Sequence, residues 1–235
     1  SASVVPGETF TVETELNSGD WLHSIEDTWS LEKADGPNPT VVLNIEGATP
    51  GDMLAVHIQD IEPDSIGYTG FDTKANTLAH LISRRDWGLN TKTVKIEDGY
   101  VIWNDKIKIP VKPMIGTIGV APEQEVIRNG SGGNYGGNMD VQEIKKGSTV
   151  YLPVFVEGAL LHLGDVHAVQ GDGEINKAGG IECRARLTLE VDVKRKFDHM
   201  NWIRAEDAEY IMTITCYRSV EESFYAAAEE MLHWI

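Results

Sequence analysis

Long apolar runs, a cysteine framework, basic clusters and nucleotide loops are all missing from this sequence, and each absence removes a class of function. No stretch approaches the ~20 apolar residues that span a bilayer, and no signal-peptide pattern opens the chain. Membranes are therefore not an expected partner. Basic residues are few, 20 Lys and Arg against 37 Asp and Glu, for a formal charge of −17. A surface of that sign repels phosphate backbones and anionic lipid, which sets nucleic acid aside as well. Cysteine occurs only as Cys183 and Cys216, each in a strand-like run and neither in a CxxC pair. Both are expected to be buried thiols in a reducing cytoplasm. Nucleophile and cofactor signatures are missing too. There is no G-x-S-x-G elbow, no GxGxxG between a strand and a helix, and no Lys-Ser/Thr behind the glycine-rich segment.

What is present is ordinary globular composition, 41% hydrophobic and 24% charged over 235 residues, with a dominant β signal. Thr9 to Glu15 alternates apolar and polar residues as a half-buried strand does. Val41 to Ile45 and Met53 to Ile61 follow, separated by the turn residues Gly47 to Asp52. Further short runs are Ile107 to Val111, Ile115 to Val120, Val150 to Val156 and Tyr210 to Tyr217. The longest alternation is Cys183 to Val193, with Ala185, Leu187, Leu189, Val191 and Val193 on one face. Many short strands argue for a sandwich or barrel. The 64–100 stretch is irregular and reads as connecting structure and a possible lid. Helix enters only at Ser219-Val220-Glu221-Glu222, a capping box, with Phe224, Ala228, Met231 and Ile235 at helical spacing as the docking face. That pattern is still running at Ile235, so the chain reads as cut short. One unit over 1–235 is expected, with a possible sub-boundary near 129–138.

Two segments carry chemistry. Gly130 to Asp140 (GSGGNYGGNMD) is dense in glycine, which lets a backbone approach a ligand closely. It reads as an anion cradle or as a plain surface loop, and it delivers Asp140 at its end. Leu160 to Ile175 places Asp165, His167, Asp172 and Glu174 within ten residues. Asp165 and His167 are two apart, so on a strand both face one way. Asp172 and Glu174 repeat the spacing after a glycine. An imidazole beside carboxylates suits a divalent ion of the zinc kind, whereas a calcium site favours oxygens alone. The bland alternative is an acidic hairpin with a solvated histidine. His162 reads as a second ligand or a plain strand residue, and His57 as a satisfied histidine within a sheet. Asp20, Trp21, His23 and Trp29 are candidates to line a pocket, while His80, His199 and His233 suggest no partner.

These segments, with their flanks, resemble the acetamidase/formamidase family. The matching stretches are Ile45 to Ile61, Pro113 to Pro122 (PMIGTIGVAP), Gly136 to Asp140 (GGNMD) and Gly147 to Glu182, which contains GDVHA and GDGE in order. The resemblance implies a mainly β fold with jelly-roll, sandwich-like and barrel-like parts and a C-terminal amphipathic helix. It also implies a homodimer or higher oligomer, and hydrolysis of formamide, acetamide or a related small amide with a bound divalent metal, zinc foremost and calcium second. Carried over by position, Asp140, Asp165, His167, Asp172 and Glu174 fall on the family's polar positions, and Glu182 closes the block. On this basis His167, Asp165 and Asp140 are the expected metal ligands and Glu174 and Asp172 the catalytic carboxylates. Gly136, Gly137 and Asn138 are the expected oxyanion and substrate contacts.

Two departures stand out. The family commonly has an Asp after an ETE-like strand, where this chain has Leu16, so Glu15, Asn17 or Asp20 would have to supply that group. Family chains also continue beyond 219–235, and a missing tail would remove part of the fold or of the dimer contact. The alternative function is a non-catalytic, metal-stabilised β-sandwich binding protein, or a relative that has lost activity.

Overall fold

The alternation in Cys183 to Val193 becomes the middle of β13 (Glu182–Arg195), where Leu187, Leu189 and Val191 are fully buried while Arg186 is exposed. A computed structural model describes residues 2–30, 32–33, 38–72, 89–174, 179–217 and 219–235. Along one edge β13 pairs antiparallel with β4 (Asp52–Asp72) over nearly its whole length. Its other edge takes β2 (Thr9–Thr14) and, at its first residues, β12 (Leu161–His167). The described strands join into a single branched sheet. From β4 the path runs through β11 (Thr149–Pro153) and β14 (Ile203–Glu206) to β15 (Ile211–Ile214). From β12 it runs through β8 (Met114–Gly119) to β10 (Gly136–Asn138) and β9 (Gly132–Gly133). Branches add β3 (Thr40–Ile45) beside β12 with β1 (Ala2–Val4) beyond it, and β5 (Leu89–Glu97) beside β4 followed in turn by β6 (Tyr100–Asn104) and β7 (Ile107–Pro110).

Every residue of β8 is buried, and β12 is buried on both faces except at His162. A strand can be covered on both faces only if other layers lie over it. The fold is therefore mainly β with a C-terminal helix, as the alternation and the resemblance imply. Val150, Leu152, Leu163, Leu187 and Leu189 belong to the main core. On the opposite face of β4, Met53 and Ala55 pack with Tyr151 and Met200, and Trp234 of α1 (Val220–Trp234) closes that side. A third cluster joins Leu16, Trp21, Leu22 and Tyr68. Leu16 is thus fully buried, and the departure from the family's Asp is an apolar core position.

Three expectations are corrected. The 64–100 stretch is not wholly irregular, because β4 runs on to Asp72, β5 returns beside it and β6 begins beside β5. Ladder hydrogen bonds there override a weak apolar pattern. The expected lid falls largely on 73–88, and His80 with it, outside the described residues. Cys216 is exposed, just past the end of β15, while Cys183 is buried as expected; both are free thiols. The helix is capped by Ser219, whose Oγ accepts from the Glu222 amide at 3.1 Å, but it docks on a different face. Phe224 and Ile235 are exposed, and Glu230 is the buried residue of the helix.

Candidate functional site

β12 carries Asp165 and His167 into the core, where they are 3% and 1% exposed. Asp165 sits in left-handed backbone, φ 54°. β13 begins opposite, with Glu182 in register with His167, so the pairing itself sets a carboxylate beside the imidazole. His167 Nε2 lies 2.9 Å from Glu182 Oε2, an ion-pair contact without hydrogen-bond alignment. Asp140 follows β10, also left-handed at φ 50°, and is anchored there by its amide, which donates to the Gly116 carbonyl at 3.1 Å. Glu174 arrives from the turn after β12, its Oε1 3.9 Å from His167 Nε2 and accepting from the Gly179 amide at 3.1 Å. Two triads therefore share one imidazole: Asp140–Asp165–His167 and His167–Glu174–Glu182. Within each, the ligand atoms lie within 4.8 Å of one another.

Two glycines make the room. A Cβ on Gly116 would meet Asp140 Oδ1 at 2.7 Å, the Asp165 carbonyl at 2.7 Å and His167 Cε1 at 2.8 Å. One on Gly180 would meet His167 Cδ2 at 2.5 Å. Gly116→Ala is expected to displace Asp140 or the imidazole and to lower divalent-ion affinity by ~10–100-fold, on the scale of a lost supporting contact. Isothermal titration with Zn²⁺ reads this directly, and an unchanged affinity would remove Gly116 from the site.

The charges are strained. Burial drives Asp165 well above the usual carboxylate range, Glu182 adds to that, and His167 opposes it. Burial also raises Asp140, with Glu182 reinforcing and His167 opposing. Burial, then Glu182 and Asp140, lifts Glu174 to about 7. For His167 burial pushes downward, but Glu182, Asp165 and Asp140 together hold the imidazole up to about 10. Among the described residues, Asp140 Oδ1, Asp165 Oδ1, both Glu182 carboxylate oxygens and His167 Nδ1 are buried without a hydrogen-bond partner. A buried polar atom left unpaired costs ~1–3 kcal/mol, more when charged, so so many around one imidazole call for a positive centre. A divalent cation fits this donor set.

Other expected residues sit elsewhere. Asp172 is exposed and bonds to Gln142, outside both triads. Glu15 and Asp20 are ion-paired with Arg184 at the surface. Gly136 and Gly137 lie in the β10 ladder against Gly119 and Ile118, with φ of 87° and 99°. His162 belongs to neither triad and lines a cavity of about 240 Å³ with Tyr135 and Asn129, and burial lowers its pKa. His57 is satisfied, as expected, by Thr149 and Asp192. His199 and His233, for which the sequence suggests no partner, stack on each other at 4.9 Å.

The sequence reading did not single out Asn38, Thr117, Gln170 or Tyr68. Asn38 Nδ2 donates to Asn138 Oδ1 at 2.6 Å and to Asp165 Oδ2 at 3.2 Å. Gln170 Nε2 donates to the Asp140 carbonyl at 3.0 Å. Tyr68 pairs in register with Glu182, and its hydroxyl donates to Asn17 Oδ1 at 2.7 Å. The signal available in advance was slight: Thr117 lies inside PMIGTIGVAP, and Asn38 lies between two prolines.

The model of the acetamidase/formamidase family matches residues 1–131 and 128–212. The chain is 26% identical over 260 residues to an acetamidase of Mycolicibacterium smegmatis, covering 82% of this chain and 63% of that protein. It is 25% identical over 250 residues to a formamidase of Methylophilus methylotrophus, covering 81% and 60%. The chain thus spans 60 to 63% of the length of these curated relatives. A crystal structure of a recombinant predicted acetamidase/formamidase from the thermophile Thermoanaerobacter tengcongensis superposes with a TM-score of 0.86. It is 38% identical, over 98% of this chain and 75% of that one. A Bacillus halodurans acetamidase gives 0.87 at 34% identity, over 100% and 78%. A γ-lactamase from Delftia acidovorans shares the fold, at a TM-score of 0.73 and 20% identity.

Proposed function

The chain belongs to the acetamidase/formamidase family, and on that premise we propose that the buried imidazole–carboxylate cluster is a divalent-metal centre that hydrolyses a small linear amide to a carboxylic acid and ammonia. The observation that supports this most is the set of unpartnered carboxylate oxygens of Asp140, Asp165 and Glu182 around His167. Asp140, Asp165 and His167 would hold the ion, with zinc favoured by the mixed nitrogen and oxygen donors and calcium second. When bound, such an ion supplies Lewis acidity toward the amide carbonyl and a more acidic water. Glu182 Oε2, 2.9 Å from His167 Nε2, would hold the ring by its charge, and among the described residues Nδ1 has no hydrogen-bond partner. Glu174 is the general base in this reading. Its side chain is 19% exposed, against 4% for Asp165 and 1% for Glu182, and is poised near 7. It takes the proton of the attacking water and returns it to nitrogen as the C–N bond breaks. Asp172 is too far into solvent to share that task. Gly136, Gly137 and Asn138 remain the candidates for the substrate oxygen. A cytoplasmic location and homo-oligomeric assembly, as the resemblance implies, complete the proposal.

Ammonia release from formamide and acetamide, with and without a chelator, tests it. Release that the chelator stops and Zn²⁺ restores is the expected result. Release that persists after all divalent ion has gone would overturn the reading.

The cluster also makes a stability prediction. Glu174, Asp140 and Asp165 have pKa values raised above their unfolded values. In the ion-free protein their contribution is therefore fully present below about pH 4 and lost as pH climbs through about 7 for Glu174. His167, raised to about 10, has the same sign: its contribution falls only as pH rises beyond the ordinary imidazole range. The ion-free melting temperature should therefore fall between pH 5.5 and 8, and saturating Zn²⁺ should flatten that slope. Identical slopes with and without ion would contradict a cation at this cluster.

A further inference from the structure

Asp140 and Asp165 are each divided into one engaged oxygen and one free oxygen, and three neutral side chains do the dividing. Asn138 Nδ2 donates to Asp140 Oδ2 at 2.7 Å. Asn138 Oδ1 in turn accepts from Asn38 Nδ2 at 2.6 Å and from the Thr117 hydroxyl at 2.6 Å. The same two donors stand 3.2 and 3.3 Å from Asp165 Oδ2. Both Oδ2 atoms are thereby occupied. Among the described residues both Oδ1 atoms are buried without a hydrogen-bond partner, and both belong to carboxylates grouped with His167. The donors come from three separate places: Asn38 from the segment before β3, Thr117 from the middle of β8, and Asn138 from the end of β10. Asn38 holds a left-handed backbone, φ 45°, and is pinned by its own amide to the Asn17 carbonyl at 2.7 Å and by its carbonyl to Asn129 Nδ2 at 2.8 Å.

We infer that Asn38, Thr117 and Asn138 are positioning residues that hold Asp140 and Asp165 to one-oxygen ligation and thereby select a compact Zn²⁺-class ion over Ca²⁺. This rests on the proposed metal centre. Ca²⁺ collects six to eight oxygens and commonly takes carboxylates through both oxygens. A site whose two aspartates each present a single oxygen beside an imidazole offers too few. Zn²⁺ is content with about four donors, nitrogen among them. Asn138 thus has a role other than contact with the substrate oxygen: its amide orients Asp140.

The test measures ion binding rather than turnover. Co²⁺ absorption spectra and the dissociation constants for Zn²⁺ and Ca²⁺ are recorded for the wild-type protein, Thr117→Val and Asn38→Ala. Thr117→Val keeps the shape of a fully buried side chain; Asn38→Ala, on a half-buried segment, serves if that variant fails to fold. Zn²⁺ affinity should fall ~10–100-fold in the variants while Ca²⁺ affinity holds within about threefold or rises, the scale expected for loss of a supporting contact. The Co²⁺ spectrum should shift toward the weak absorption of higher coordination as Asp165 Oδ2 becomes free. Wild-type protein that binds and variants indistinguishable from it would overturn this inference alone. Equal weakening of both ions would reduce the three residues to general support and overturn it as well. Wild-type protein that binds neither Zn²⁺ nor Co²⁺ would overturn the metal centre itself, and the selection with it.

Discussion

His167→Ala is expected to leave the purified protein without stoichiometric divalent ion and to cut amide turnover by ~100-fold or more, since even outer-shell changes at metal sites cost 10–100-fold. The argument is one of charge and donor type. His167 is the sole imidazole in either triad, and four carboxylates stand around it. Without it the nitrogen donor is lost, and Glu182 loses the group against which it is buried. Elemental analysis after gel filtration, with ammonia release on the same sample, measures both effects. Metal retained at wild-type stoichiometry would sink the assignment even if turnover fell. Asp172→Asn is the matched control. Asp172 lies outside both triads, bonded to Gln142 at the surface, so its loss should change turnover by no more than a few-fold. A loss comparable to that of His167→Ala would return Asp172 to the catalytic role that its spacing suggested.

The contrast between His167 and Asp172 shows what in this site was legible in advance. Asp165 and His167 follow from strand periodicity, since residues two apart share a face; Glu182 was indicated by the resemblance alone, and it is the pairing of β12 with β13 that sets it beside His167. Asp172 and Glu174 have the same spacing, but β12 ends at His167, and beyond it a period of two carries no meaning. Only Glu174 turns back, with Gly179 bonded to its carboxylate. Asn38 and Thr117 were illegible for a different reason. They are neutral, belong to no spaced motif, and meet Asp165 across 127 and 48 residues of chain. Gly116 and Gly180 contribute only the absence of a Cβ, which no periodicity registers. The β class was legible from alternation, but its extent was not. β4 runs through Asp64, Ser65 and Gly70, poor strand formers: Asp64 and Ser65 fall at the register shift between Cys183 and Ala185 of β13, and Gly70 pairs with Thr91 of β5.

The helix teaches the same lesson with a larger energetic consequence. Helical spacing pointed to a face of Phe224, Ala228, Met231 and Ile235, yet the helix turns Glu230 inward. Its carboxylate lies 2.6 Å from Arg204 Nε, and both side chains are 1% exposed. Its other oxygen accepts from the amides of Asn201 at 3.0 Å and Trp202 at 3.2 Å. The guanidinium is flanked by the rings of Phe197 at 5.3 Å and Trp234 at 5.4 Å, an environment that favours a cation. An amphipathic pattern counts apolar residues and so cannot see a charged residue whose partner sits 26 residues away on a strand. Glu230→Ala removes one member of this pair and leaves the other charge buried. The expected cost is roughly 3–5 kcal/mol, or on the order of 10 °C in melting temperature for a chain of this size. Replacing both members with apolar residues, Arg204→Met with Glu230→Leu, should recover part of that loss, because no isolated charge then remains. Recovery should stay incomplete, since the amides of Asn201 and Trp202 lose their acceptor. Urea unfolding of the single and double variants decides the matter. If Glu230→Ala costs under about 1 kcal/mol, the pair behaves as a surface ion pair does, and the helix is held by Trp234 packing instead.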